Sequence, residues 1–415
     1  MPGVAVTALV LKGADSRQAW DRAHYSRRNP PRTRGSKRWQ ETRVRTWLAR
    51  DRRVAAAAPV GALAFDKEVA MLPQHSRSWR RASRWLLAAG SAITLSAFAA
   101  DEPAADSSTN GIDAEKFFSA IVKVRAHALP DARTTAILGS EREGTGTVID
   151  QDGLILTIGY LIIEADEVNI VDDRGRSLPA KVVGYDHVSG LALVRSIVPL
   201  EASPLPLGDS AKLAESDPVL IVNHGGRDDA TLAQVVSRRS FTGNWEYLLD
   251  NAIFTSPPTL NWSGAALVGK DGSLLGVGSL ILRDVTEVEP HLPGNMFVPV
   301  DVLKPILRDL VKTGQRAGPA QPWLGVSADE MQGHLLVTRV SPEGPADRAG
   351  VQTGDIIVGV GGDAVHSQAE FYRRVWGRGA AGSEIPLRIL RGDAVREVKV
   401  RSIDRVKYFR QKTSY

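Results

Sequence analysis

The chain has 415 residues, room for two or three domains, and no cysteine, which excludes a disulfide framework and thiolate metal ligation. A net charge of +5 would suggest nucleic acid, but the excess sits at one end. Residues 1–70 carry 15 Lys and Arg against six Asp and Glu, whereas residues 100–415 carry 33 against 41, so the bulk is acidic and nucleic-acid binding loses its support.

Met71 is followed by Arg77, Arg80, Arg81 and Arg84, then by an uncharged run from Trp85 to Ala100 that ends in Ala97-Phe98-Ala99. A basic head, a short apolar stretch and a small-residue cleavage site predict a secretory signal peptide over residues 71–99. Its sixteen uncharged residues are too few for a comfortable membrane span, so no stable transmembrane segment is expected after cleavage. A signal should open a chain. Residues 1–70 are therefore expected to be a mis-called or disordered basic extension, with Met71 as initiator. Arg80-Arg81 admits the twin-arginine route, but Ser83 stands where that signal wants an apolar residue. Residues 100–111 are polar and read as a disordered linker.

From residue 112 the pattern is of short strands with turn residues about every ten positions. They include Ile121–Val124, Gly144–Ile149, Leu154–Thr157, Glu167–Val171, Ala180–Tyr185, Leu191–Arg195, Val219–Val222 and Gln234–Ser237. This spacing predicts an all-β barrel or sandwich over 112–314. One helix is expected to close it, from Asp301 to Lys312, with Pro305 in its first turn and Gly314 at its exit. The stretch Phe254–Ile281 sets Ser263 between Trp262 and Gly264, just before two apolar runs joined at Asp271-Gly272, a hairpin signal. A serine at such a tip is either a strand-capping turn residue or an exposed nucleophile.

Residues 315–321 read as a linker, and residues 322–405 as a separate small α+β domain. Its strands are Leu335–Val340, Asp355–Val360, Glu384–Leu390 and Val395–Val400, with helices at Pro345–Gly350 and Ser367–Trp376. Ser367 with Glu370 makes a capping box. Residues 406–415 form a tail. Nothing in the chain has metal-ligand spacing, a phosphate loop or a dinucleotide fingerprint, so no cofactor is expected.

Eight motifs in order resemble the HtrA/DegP family of secreted trypsin-like serine proteases. Gly144-Thr145-Gly146-Thr147-Val148-Ile149 is similar to the family's G-S-G-x-I-I strand, and Leu156-Thr157-Ile158-Gly159-Tyr160-Leu161-Ile162 to its L-T-N-x-H-V-V stretch. Ala180–Gly184, Leu191–Val194, Leu207-Gly208-Asp209-Ser210 and Phe297–Asp301 fit the strands and turns that follow. Trp323-Leu324-Gly325-Val326 and Ser341–Ala346 fit a PDZ domain. The resemblance implies a mainly β fold, a trypsin-like double β-barrel followed by a PDZ domain.

The resemblance assigns Ser263 to the nucleophile position, Tyr160 to that of the histidine base and Gly190 to that of the aspartate. It places Asn261 where the family has an oxyanion-loop glycine, in a loop one residue shorter. A phenol is a poor base at neutral pH and glycine has no side chain, so the expected protein is a periplasmic pseudoprotease that binds polypeptides without cleaving them. The alternative is an active serine endopeptidase using Ser263 with an unorthodox base, for which His187 and His224 are candidates. The resemblance further implies binding of polypeptides or protein C-termini through the amides of Leu324, Gly325 and Val326. A homotrimer is also implied, with Phe117 and Phe118 either at the subunit contact or in the core.

Overall fold

The computed structural model describes residues 114–410 except Glu287 and Glu289. The basic extension, the signal sequence, the 100–111 linker and the last five residues of the tail lie outside the described residues.

A first closed barrel is built from β1 (Ile121–Ala128), β2 (Glu141–Val148), β3 (Leu154–Ile158), β4 (Ala165–Val171), β5 (Ser177–Tyr185) and β6 (Leu191–Ser196), joined in the order β1-β2-β3-β6-β5-β4. The second closes from β7 (Pro218–Val222), β8 (Thr231–Gly243), β9 (Tyr247–Ser256), β10 (Ala266–Val268), β11 (Leu274–Leu282) and β12 (Gly294–Pro299), in the order β10-β11-β12-β9-β8-β7. Closure pairs every strand edge, which is how short, strongly twisted strands avoid presenting an open edge. In β1 the alternation Val122, Val124, Ala126, Ala128 is inward, while Arg125 and His127 face water. β3 is buried along its whole length and packs on β11, so its two faces serve two barrels.

The trypsin-like double barrel expected from the motifs is thus the observed one, and the small α+β domain follows it. Its sheet runs β13 (Val326–Met331), β14 (His334–Val340), β15 (Ile356–Val360), β17 (Glu384–Arg391), β18 (Ala394–Arg401), with the short β16 (Asp363–Ala364) on β15. Among the helices, α1 (Ala114–Ser119) and α2 (Thr135–Leu138) belong to the first barrel, α3 (Leu307–Thr313) follows the second, and α4 (Pro345–Arg348) and α5 (Gln368–Trp376) lie in the last domain. The Ser367 hydroxyl caps α5 by accepting from Glu370 N at 3.2 Å, while the Glu370 carboxylate accepts from His366 N, one residue before the partner a standard box would use.

One expectation needs correction, and one left open is decided. The helix expected over Asp301–Lys312 is a 3-10 turn, Val300–Val302, followed by the shorter α3. Pro305 lies between them: it lacks an N–H and disfavours helical geometry at Lys304, so the helix starts two residues beyond it. Phe117 is buried in the core of its own barrel, where Phe118 meets it edge-on at 5.1 Å beneath the Arg227 guanidinium. Phe117 is therefore a core residue. The strand β9 and the distal half of β8 were not legible in the sequence, because Arg238, Arg239, Asp250 and Asn251 interrupt the apolar runs.

The start of the tail is ordered. Tyr408 packs on Trp323 at 4.6 Å, Phe409 stacks on His187 at 5.6 Å, and Arg410 N donates to the Glu164 carboxylate at 2.7 Å. The far end of the last domain thereby returns to the first barrel.

Candidate active cleft and carboxylate-binding loop

Ser263 and Tyr160 come from different barrels and meet in the cleft between them. Tyr160 sits in the 3-10 turn Gly159–Leu161 that leaves β3. Ser263 ends the loop that leads into β10. The Ser263 loop comes close to β2 of the first barrel because Gly264 and Gly144 carry no side chain. A Cβ on Gly264 would lie 2.0 Å from Thr145 O, and one on Gly144 would lie 2.7 Å from Ser263 O. Thr145 N donates to Ser263 O at 2.7 Å and locks the contact. At Gly264, φ is +73°, a conformation that side chains disfavour.

The Ser263 hydroxyl donates to the Tyr160 hydroxyl at 2.7 Å, and the Tyr160 hydroxyl donates to Ser279 O at 2.9 Å. The proton chain therefore runs from serine to phenol to carbonyl. Burial pushes the Tyr160 phenol well above its ordinary value, and the hydrogen bonds from Ser263 and Trp262 offset only part of that rise. The phenol stays neutral across physiological pH. To accept the serine proton it would have to become a phenoxonium, so it serves as an acceptor and not as a base.

Gly190 adopts φ +77°, donates to Asp186 O at 2.8 Å and accepts from Gly159 N at 2.7 Å. A Cβ there would fall 3.6 Å from the Tyr247 ring and 3.9 Å from Ile158 Cδ1. The space behind Tyr160 is thus lined by a phenol and an aliphatic chain, and the Tyr247 hydroxyl is itself spent on Ser189 O at 2.8 Å. Neither histidine replaces the base. The Thr145 hydroxyl accepts from His224 N at 3.0 Å and lies 3.2 Å from His224 Nδ1, so that ring is partnered by Thr145. His187 is packed between Tyr185 and Phe409, and burial pushes its imidazole down to about 3.

The loop before Ser263 is committed as well. Asn261 N points to the Thr259 hydroxyl at 3.4 Å, the Asn261 side chain donates to Asp229, and Thr259 N donates to Asn295 Oδ1 at 2.7 Å. Gly264 N donates to Gly278 O at 2.8 Å. The amides of Thr259, Asn261 and Gly264 are thus engaged by Asn295, the Thr259 hydroxyl and Gly278 rather than left free for an oxyanion.

The second predicted site forms as a set. Leu324 N, Gly325 N and Val326 N converge on one carboxylate, that of Glu246 at the β8–β9 turn: Leu324 N lies 3.0 Å from Oε2, and Gly325 N and Val326 N lie 2.6 and 2.9 Å from Oε1. Glu246, Ser279 and Tyr247 were missed from the sequence. Glu246 lies in a turn with no local sign of a carboxylate ligand, and Ser279 acts through its carbonyl, which any residue would supply.

Comparison with known proteins identifies the two domain types. Residues 144–277 match the trypsin-like peptidase domain and residues 322–401 the PDZ domain. The chain is 27% identical over 277 residues to a probable periplasmic serine endoprotease, DegP-like, of Halomonas elongata, covering 62% of this chain and 55% of that one. It is 30% identical over 277 residues to a probable periplasmic serine protease, do/HhoA-like, of Haemophilus influenzae, covering 62% and 57%. The serine endoprotease of Yersinia pestis aligns with a TM-score of 0.43 at 24% identity, covering 70% of this chain and 96% of that one. The chain spans a little over half the length of the first two relatives.

Proposed function

We propose that this chain, an HtrA/DegP-type protein with a trypsin-like peptidase domain followed by a PDZ domain, is a periplasmic pseudoprotease that holds polypeptides and does not cut them. The observation that carries the reading is the hydrogen bond from Ser263 to a neutral phenol, whose own proton is directed to Ser279 O. A serine attacks a carbonyl only when a base removes its proton as the bond forms. Tyr160 cannot do so, Gly190 has nothing with which to orient a base, and the Asn261 amide is turned away from an oxyanion. The cleft remains a place where an extended chain can lie between the barrels, and the PDZ domain supplies amides that receive a carboxylate. Export through the signal at 71–99 and the names of the relatives support the periplasmic setting. Among the described residues no helix is long and apolar enough to cross a membrane.

The test is labelling by a fluorophosphonate probe alongside hydrolysis of an unfolded protein such as casein. The expected result is no labelling above that of Ser263→Ala and no cleavage. Robust labelling that disappears in Ser263→Ala establishes the active endopeptidase instead.

A further inference from the structure

The amides that the PDZ domain would offer to a chain terminus already hold a carboxylate from the same molecule. Glu246 sits at φ +59°, a backbone conformation that residues with a side chain disfavour. Such strain persists only where surrounding contacts impose it. Tyr247 ties the turn to the barrels through Ser189 O, and the contacts of Glu246 itself and of its other neighbours reach the PDZ groove. The carboxylate lies on three successive amides, Leu324, Gly325 and Val326. The Tyr372 hydroxyl on α5 donates to Gly243 O at 2.8 Å, and the Thr242 hydroxyl donates to Gln368 Oε1 of the same helix at 2.8 Å. On the facing strand, Asn244 Nδ2 donates to Asp329 Oδ1 of β13 at 2.9 Å. Leu248, two residues after Glu246, packs against the PDZ core. The turn of the β8–β9 hairpin therefore bridges α5 and β13, the two walls of the groove, and brings a carboxylate and an aliphatic side chain with it.

We propose that the β8–β9 hairpin is a tethered ligand of the PDZ domain, with Glu246 in the place of a C-terminal carboxylate and Leu248 in that of an apolar terminal side chain. A polypeptide C-terminus then gains the groove only by expelling the hairpin. This deepens the reading of the chain as a polypeptide-binding protein and rests on it. Three amides in a row aimed at one carboxylate are the means by which backbone nests capture a chain terminus. An ordinary interdomain contact has no need of that arrangement. Tethering sets the terms of the competition: an intramolecular ligand acts at an effective concentration of about millimolar, so a peptide at micromolar concentration is held off. The observed affinity for an outside ligand falls by the fraction of time the groove is open. A cavity of about 330 Å³, lined by Asp186, Arg316, Trp323, Trp376 and Arg405 among others, lies beside Glu246 where the linker meets the first barrel.

The experiment uses the full chain and its Glu246→Ala and Glu246→Gln variants, the second keeping the shape of the side chain in case the first fails to fold. Two readouts are taken. Amide hydrogen exchange at Leu324, Gly325 and Val326 is expected to be about tenfold or more faster in the variants. Fluorescence polarisation follows uptake of a labelled random heptapeptide pool ending in an apolar residue, with either a free or an amidated terminus. The free-acid pool is expected to bind the variants about tenfold or more tighter than the unaltered protein, and the amidated pool equally weakly in all three. Unchanged exchange at the three amides overturns the tethered ligand. Equal uptake of the free-acid pool by the unaltered protein and both variants overturns the competition alone and leaves peptide binding standing. Faster exchange with no uptake of either pool reduces the hairpin to a docking contact and overturns peptide binding with it.

Discussion

In the cleft between the barrels and in the groove of the PDZ domain, the polar groups that would act on a ligand are turned onto the chain itself, but in opposite senses. In the cleft, Ser263 keeps its position while the groups that would activate it are exchanged for Tyr160 and Gly190, and the remaining hydrogen bonds close on one another. In the groove the amides of Leu324, Gly325 and Val326 converge on one carboxylate, that of Glu246, which the proposal treats as displaceable. On the proposed reading, the first site is disabled by substitution and the second held by occupation. Removing one residue is expected to restore the second and not the first.

The largest expected effect concerns the cleft. Loss of a triad costs on the order of 10⁶-fold in rate, so casein hydrolysis should be indistinguishable from that of Ser263→Ala between pH 6 and 9, because the phenol is pushed upward and no base appears in that range. A rise in activity toward pH 9 that requires Tyr160 would break the comparison. Next, the double variant Tyr160→His, Gly190→Asp is expected to raise fluorophosphonate labelling of Ser263 by about 10²-fold, the contribution of a positioned base. Casein turnover should still lag, since Asn261 N remains on Thr259. Full turnover in that variant would show that the oxyanion loop is not a second lesion.

Gly264→Ala sharpens the structural side of the cleft. Its Cβ would fall 2.0 Å from Thr145 O at a positive φ, so a loss of about 3–4 kcal/mol is expected, measured by denaturant unfolding. The same change at Gly175, which has open space at positive φ, should cost only about 1 kcal/mol. Equal costs at the two positions would refute the close approach of the barrels there.

Asp186 tests the junction where the first barrel meets the linker. Burial opposes its charge, but the Arg316 guanidinium and the Ser189 hydroxyl outweigh that and hold its carboxyl below the usual carboxylate range. A carboxyl lowered in the folded state stabilises fully above its unfolded value and loses that contribution as pH falls through the folded one. Asp186→Asn should therefore cost about 3 kcal/mol at pH 7, with the gap from the unaltered protein closing below about pH 4. A gap independent of pH would remove the ion pair from the account. The smallest effect is expected from Ser367→Ala. It removes the cap of α5, should cost about 1 kcal/mol, and leaves Glu246 on its amides. Marked release of the hairpin in that variant would mean that the groove wall, not the carboxylate, carries the contact.

Much of this architecture was legible in the residues. Alternating apolar positions, the Asp271-Gly272 turn and the Ser367 cap act over a few residues, and each appears where local pattern placed it. Tyr160, Gly190 and Ser263 were identified by position in ordered motifs, and Leu324, Gly325 and Val326 in the same way. Less was legible where chain geometry competes with periodicity. The apolar spacing of Asp301–Lys312 reads as one helix, yet Pro305 splits it. Phe117 and Phe118 carried no sign of whether they face a core or a partner.

By itself, then, the sequence determined the class of the fold and which residues stand at the motif positions: Ser263, Tyr160, Gly190 and the Leu324-Gly325-Val326 loop. Only the tertiary structure decided what those groups touch. The Tyr160 hydroxyl meets Ser263 across 103 residues and Glu246 meets Leu324 across 78. Contacts of that range leave no period in the chain, because they depend on how two barrels and a third domain pack and not on how neighbouring residues alternate.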